Sequence, residues 1–397
     1  MTIFLSLLIG YLLGSISPAF ILGKILKGID IREHGTKNAG TTNVKRTLGI
    51  GPATITAIYD LGKGLLAMWI ASLLGASPII IYAAGFAAVF GHIFPFYLKF
   101  RGGQGSATAL AILFYNLSIL LRQNLMPISD ILALAVLVLG ILYITQQGEM
   151  IGFVALPGFA YFMFKNYPVN IITITSAIVL ALLFTNVVRE IIRQKLYTLK
   201  PAFHKKVKLW RLVSRPLAIV FPLLLYYTDK KVTLLVLGPI LLISIIADLI
   251  RLLNKKANLF FLITKPGIYK EKEARRFSSI TLFLMASFLI ILIFPTPIAV
   301  LATVFLIFGD MFSKFFGIQY GRTNFFGKTL EGSVAYFVVC FCAGFFLLDY
   351  FPNLSLFMIL AGSIVAAIIE VLPLGVDDNL STGVISAAAM FFIQQIS

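Results

Sequence analysis

The chain opens on TIFLSLLIGYLLGSISPAFILGKI, residues 2–25, in which no charged residue precedes Lys24. A bilayer-crossing helix needs about 20 largely apolar residues, and a secretory leader carries basic residues ahead of a shorter apolar stretch. This run has the length of the first and lacks the basic start of the second, so it reads as a spanning helix. Similar segments recur at 52–75, 78–98, 106–121, 130–146, 149–164 and 168–191, then at 211–228, 232–250, 277–294, 297–313, 333–350, 354–372 and 380–394. Of 397 residues, 59% are hydrophobic and 12% charged, where a soluble domain has about 45–50% and about 25%. Lipid is the solvent expected for most of this surface. The expected fold is all-α: a polytopic transmembrane helix bundle of about fourteen spans in two seven-span halves.

The formal net charge of +17 does not point to nucleic acid, because the basic residues sit in short loops between apolar segments. In a membrane protein the same excess implies cytoplasmic loops against anionic lipid headgroups, and it suits phosphorylated substrates. All but four of the 33 lysines and arginines (the exceptions are Arg122, Lys165, Lys230 and Lys231) fall on one side of the proposed topology. That side is expected to be cytoplasmic, which puts both termini outside a cell membrane and the 192–210 connector inside. The connector carries Arg193, Lys195, Lys200, Lys205, Lys206, Lys208, Arg211 and Arg215 and reads first as a headgroup-binding linker between domains 1–200 and 201–397. Cys340 and Cys342 lie inside an apolar span and read as small buried side chains. No obligate protein partner is expected.

Three polar stretches of the first half face the same side. Residues 30–49, DIREHGTKNAGTTNVKRTLG, combine glycines with Thr36, Asn38, Thr41, Thr42 and Asn43 and with the cations Lys37, Lys45 and Arg46. Exposed amides beside cations form a nest for phosphate oxygens, although a flexible positive loop would look similar. In DLGKG, residues 60–64, Asp60 and Lys63 share a helix face inside the second span. Charges at such depth face the bundle interior, either as a functional site or as a self-neutralising pair. In GHIFPFYLKFRGGQGSAT, residues 91–108, His92, Lys99 and Arg101 precede Gly102, Gly103 and Gly105, a glycine turn opening a helix whose N-terminus suits an anion.

With these ordered motifs, residues 1–200 resemble the bacterial membrane acyl-phosphate:glycerol-3-phosphate acyltransferases. The resemblance implies a seven-span bundle that moves an acyl group from acyl phosphate to the sn-1 hydroxyl of glycerol 3-phosphate, giving lysophosphatidate. It implies catalytic roles for Thr36, Asn38, Lys63 and His92. It implies substrate binding by Asn43, Arg46, Arg101, Asn186 and Arg189, to which the loops' own chemistry adds Lys37, Gly102 and Gly103. A mixed anhydride is already activated, so positioning two anions and stabilising the oxyanion is most of the task. The chain departs from the family pattern at Thr36 (usually Ser), Lys37 (usually Gly), Gln104 (usually Lys), Leu183 (usually His) and Lys195 (usually Glu).

The second half carries GDMFSKFFGIQYGRTNFFGKTLEGS, residues 309–333, and EVLPLGVDDNLS, residues 370–381. Carboxylates at Asp310, Glu331, Glu370, Asp377 and Asp378 beside glycines and Lys328 suit a magnesium nucleotide. For Asp377 and Asp378 a turn capping the last helix is the alternative account, weakened by Asp310 and Glu331 facing them. From about residue 208 to 394, including ADLIRL at 247–252, this half resembles the CTP-dependent lipid kinases that act on dolichol, phytol or diacylglycerol. The resemblance implies catalysis by Asp310 and Lys328 and nucleotide binding by Thr329 and Glu331. It also implies Mg2+ at Asp310, Asp377 and Asp378, with CTP as phosphoryl donor and a lipid alcohol as acceptor. The expectation is a bifunctional phospholipid-precursor enzyme. The alternatives are an active kinase fused to a phosphate- or lipid-binding module, and a transporter.

Overall fold

The computed structural model describes residues 1–124, 126–201, 216–254, 256, 258, 274–374 and 377–396. It is helical apart from one two-stranded hairpin. Of the basic connector, Lys205, Lys206, Lys208, Arg211 and Arg215 lie outside the described residues. The chain packs as two compact units, Met1–Asp130 with Ile151–Leu196, and Ile131–Met150 with Tyr197–Ser397.

The first unit is built from α1 (Thr2–Ser15), α2 (Pro18–Lys27), α3 (Thr41–Leu48), α4 (Ile50–Leu73), α5 (Pro78–Ile93) and α6 (Ser106–Gln123). Two later helices, α8 (Gly148–Asn166) and α9 (Ile171–Arg193), complete it. The opening run is one apolar stretch with a break at Ile16–Ser17. There the Ser17 side chain caps α2 at the Phe20 amide and Pro18 starts the new helix. Gly10 and Gly14 let α1 lie directly on the backbone of α5 at Ala84 and Ala88. Small residues four apart permit such close packing where no hydrophobic effect drives helices together.

Helix α7 (Ile128–Thr145) groups with the second unit, where Gly140 packs on Val338. The remaining elements there are α10 (Val220–Tyr227), α11 (Lys230–Leu253), α12 (Ser279–Ile293) and α13 (Thr296–Val304). A π-turn over Phe305–Gly309 follows, then α14 (Asp310–Tyr320), the hairpin β1 (Asn324–Phe325) and β2 (Lys328–Thr329), α15 (Leu330–Leu347), α16 (Leu356–Val371) and α17 (Asp378–Ile396). In the most apolar 18-residue stretch of Thr296–Tyr320, 72% of the residues are buried, against 17% for α11, so the former lies at the centre of this unit and α11 at its periphery. At the end of α11, Asp248 and Arg251 form a fully buried pair at 3.1 Å. Asp248 also accepts from the Ser278 amide and the Thr281 hydroxyl, each at 2.7 Å, which anchors α12.

Among the described residues, seven helices are long and apolar enough to cross a membrane: Thr2–Lys27, Pro78–Leu98, Ile128–Thr145, Ile171–Arg193, Lys230–Leu253, Thr296–Tyr320 and Leu330–Leu347. Helices α4, α6, α8 and α17 reach 24, 18, 19 and 19 residues but fall outside that set. α12 and α16 are apolar but shorter. The protein is thus an all-α membrane bundle with seven clear candidate spans.

Candidate anion sites in the two units

In the first unit the loop between α2 and α3 is held by two side chains. Asp30 and Arg32 form a bidentate pair, with Nε to Oδ1 at 2.9 Å and Nη2 to Oδ2 at 2.7 Å. The guanidinium holds the Asp30 carboxyl below its ordinary range despite partial burial. Arg32 Nη1 then donates to the carbonyls of Leu98 at 3.0 Å and Arg101 at 2.7 Å, so it joins loop 30–49 to loop 91–108. Asn43 is fully buried. Its Oδ1 accepts from the Thr36 amide at 2.8 Å and its Nδ2 donates to the carbonyls of Ile31, His34 and Asn38. Its side chain therefore shapes the loop from within.

The second loop returns on itself. The amides of Gly102 and Gly103 donate to the carbonyls of Ile93 and His92 at 2.9 and 3.0 Å. A Cβ on Gly103 would collide with His92 Nε2 and stand 2.7 Å from the Ala39 carbonyl. Only glycine lets the two loops approach this closely. Gly105, with φ +72°, precedes α6.

Behind the loops lies a buried cluster. Lys63 Nζ contacts Asp60 Oδ1 at 2.8 Å, His92 Nδ1 lies 3.4 Å from the same oxygen, and Thr108 donates to the Asp60 carbonyl at 2.8 Å. Asp60 and Lys63 pair within α4, and the contacts of His92 and Thr108 with Asp60 tie α4, α5 and α6 together. From α9, Asn186 Nδ2 donates to the Gln104 carbonyl at 3.1 Å and to Ser106 Oγ at 3.0 Å, while Arg193 donates to the Thr36 carbonyl at 3.1 Å. Of the expected anion-binding residues, Asn43, Lys63, His92 and Asn186 are therefore engaged with protein. Lys37, Arg46, Arg101 and Arg189 are exposed, and their side chains have no hydrogen-bonding or ionic partner among the described residues. Sequence reading passed over Arg32, Thr108 and Arg193. Arg32 left one usable signal, an arginine two residues after an aspartate at a loop entrance.

In the second unit the π-turn shifts the register of the helix just before Asp310. π-bulges of this kind recur at functional sites. Tyr336 donates its hydroxyl to the Phe305 carbonyl at 3.1 Å. Asp310 contacts Lys314 at 2.6 Å. Glu331, buried at the start of α15, accepts from the Arg322 amide and Nε at 3.0 and 3.2 Å and from the Thr323 amide at 3.3 Å. Thr329 caps α15 at the Gly332 amide. These two residues thus fold the hairpin loop. Lys328 reaches Asp378 Oδ2 at 2.8 Å and Glu370 Oε1 at 3.0 Å. Burial works against the Lys328 charge, yet Glu370 and Asp378 outweigh it and raise its pKa above the ordinary lysine value.

The carboxylates expected to hold magnesium do not converge. Asp310 pairs with Lys314, Asp378 with Lys328, and Asp377 Oδ1 accepts from the amide and Nδ2 of Asn379 at 3.0 and 2.8 Å. The last arrangement is the helix-capping turn. Among the described residues no three His, Cys, Asp or Glu side chains stand close enough to hold a metal ion. Each of the three expected carboxylates is thus engaged with protein groups.

The first unit is thus a membrane-embedded bundle presenting two interlocked glycine-rich loops with unpaired cations. Residues 4–194 match the family described as glycerol-3-phosphate acyltransferase. The chain is 37% identical over 171 residues to a glycerol-3-phosphate acyltransferase of Thermosynechococcus vestitus, covering 41% of this chain and 78% of that protein. It is 46% identical over 109 residues to one of Shouchella clausii, covering 27% of this chain and 53%, just over half, of that relative. Among solved structures it is similar to PlsY, an integral membrane glycerol 3-phosphate acyltransferase in its glycerol 3-phosphate form. The identity there is 30%, the coverage 50% of this chain and 93% of the other, and the TM-score 0.38. Through this region the chain belongs to the glycerol-3-phosphate acyltransferase family.

Proposed function

We propose that the protein is a bifunctional enzyme of phospholipid-precursor synthesis in the cell membrane, with both termini outside and both sites on the cytoplasmic face. Domain 1–200 transfers an acyl group from acyl phosphate to the sn-1 hydroxyl of glycerol 3-phosphate. That hydroxyl attacks the acyl carbon, the carbon–oxygen bond to phosphate breaks, and inorganic phosphate leaves. Lys37, Arg46, Arg101 and Arg189 neutralise the two phosphates, and Thr36 and Asn38 supply neutral donors from the loop that Asn43 shapes. Lys63, His92, Gly102, Gly103 and Asn186 fix the loops from behind. The observation that carries this reading is the joining of two glycine-rich loops by Arg32 while four cationic side chains keep no partner among the described residues. Purified protein given acyl phosphate and labelled glycerol 3-phosphate is expected to form lysophosphatidate. Absence of product from folded protein would remove the activity.

Domain 201–397 transfers a phosphoryl group from CTP to a lipid alcohol, diacylglycerol or a polyprenol. Its support is the family resemblance and the convergence of Lys328, Asp378 and Glu370 beside the hairpin loop. Lys328 takes the phosphates, and magnesium arrives as the counter-ion of the nucleotide itself. A narrower reading keeps the kinase alone and makes the first domain a phosphate- or lipid-binding module. It is favoured by Gln104, Leu183 and Lys195 and by the commitment of Lys63 and His92 to Asp60. Acyl transfer gained only in a Q104K/L183H/K195E variant would establish it.

A further inference from the structure

We infer that Glu370 accepts the proton of the lipid alcohol during phosphoryl transfer, a role that rests on the kinase reading of the second domain. Glu370 stands at the end of α16 and is 4% exposed. Its Oε1 accepts from Lys328 Nζ at 3.0 Å and from Ser313 Oγ at 3.3 Å, and its main-chain carbonyl also accepts from Lys328. Its Oε2 is just as buried and receives no hydrogen bond.

A buried acceptor left without a donor is destabilising, so a fold tolerates one chiefly where a ligand supplies the missing partner. The neighbouring carboxylates differ in this respect. Glu331 is filled by Arg322 and Thr323, Asp310 is paired with Lys314, and Asp377 with Asn379. Asp378 is paired with Lys328 and half-exposed, so water reaches it. Among the described residues Glu370 alone of these carboxylates joins burial to a vacant oxygen.

The buried, unfilled oxygen asks for a hydrogen-bond donor. The hydroxyl of a lipid alcohol is such a donor, and it arrives from the membrane. Lys328, already in contact with Glu370, places the triphosphate next to it. In the step, the hydroxyl oxygen forms the new bond to the γ-phosphorus, and the bond to the β–γ bridging oxygen breaks. CDP leaves with that electron pair, and the hydroxyl proton passes to Oε2. General-base help of this kind contributes roughly 10²–10⁴-fold.

The full chain in lipid nanodiscs, given CTP and diacylglycerol or a polyprenol, tests this. Glu370→Gln keeps the side chain's shape. It is expected to lower kcat by roughly 10²-fold or more, with CTP affinity unchanged within about threefold. The wild-type limb of kcat that rises with pH should disappear in the variant. Near-normal kcat in folded Glu370→Gln, with the wild type active, overturns the role of Glu370 and leaves the kinase standing. A wild type that phosphorylates neither acceptor removes the kinase reading, and the role of Glu370 with it. Should Glu370→Gln fail to fold, Glu370→Asp retains a shortened carboxylate. It must then show the same kcat loss at unchanged CTP affinity, and normal kcat there overturns the inference.

Discussion

Asp30 and Arg32, two residues apart, act together: the carboxylate aligns a guanidinium whose remaining donors reach the carbonyls of Leu98 and Arg101. Their side chains are 17% and 21% exposed, so the pair is shielded enough to matter. Asp30→Asn is expected to cost about 1–2 kcal/mol at neutral pH. Because the Asp30 carboxyl is held below its ordinary value, its contribution is complete above about pH 4 and fades as pH falls through the lowered pKa. Thermal melting in detergent should therefore show the gap between wild type and Asp30→Asn closing in acid. A gap that widens in acid would contradict the pairing. The site was only partly legible at this scale. Residue types told that Lys63 and Asp60 would meet, since three-residue spacing on a helix fixes that. They could not tell that Asn43 would turn inward, because a buried asparagine and a ligand-binding one have the same sequence signature.

At the scale of elements, the two glycine-rich loops differ in what their glycines do. Gly103 is needed for contact, since a Cβ would meet His92 and Ala39. Gly28, with φ +68° and open space around it, is needed only for its backbone angle at the end of α2. Gly28→Ala should cost about 1 kcal/mol. Gly103→Ala should cost clearly more and separate the loops, seen as a larger drop in melting temperature. Equal drops would argue against the loop contact. The hairpin of the second unit follows a similar logic, with Glu331 gathering Arg322 and Thr323 into the turn. Helices were readable from apolar length, but the π-turn before Asp310 was not, because FLIFG continues an ordinary helical pattern. Asp310, Asp377 and Asp378 are each engaged by a different cation or cap, which composition does not reveal.

At the scale of the whole molecule, apolar patterning made the all-α membrane fold plain. The crossing number was harder, because polar residues inside functional helices lower their hydropathy. Helix α4 carries Asp60 and Lys63 and falls outside the seven clear spans for all its 24 residues. The proposed topology puts residues 38 and 378 on the cytoplasmic side. Asn38→Cys and Asp378→Cys should resist a membrane-impermeant thiol reagent in intact cells and react in inverted vesicles; labelling from outside would refute it. The central claim concerns the first unit, where the side chains of Lys37, Arg46, Arg101 and Arg189 have no partner among the described residues and two glycine-rich loops interlock. Calorimetric titration of the purified full chain with glycerol 3-phosphate tests it most directly. The account predicts saturable binding that weakens about tenfold or more in Arg46→Ala and Arg101→Ala, as loss of a charge-assisted phosphate contact requires. Undetectable binding, or binding indifferent to both substitutions, would contradict it.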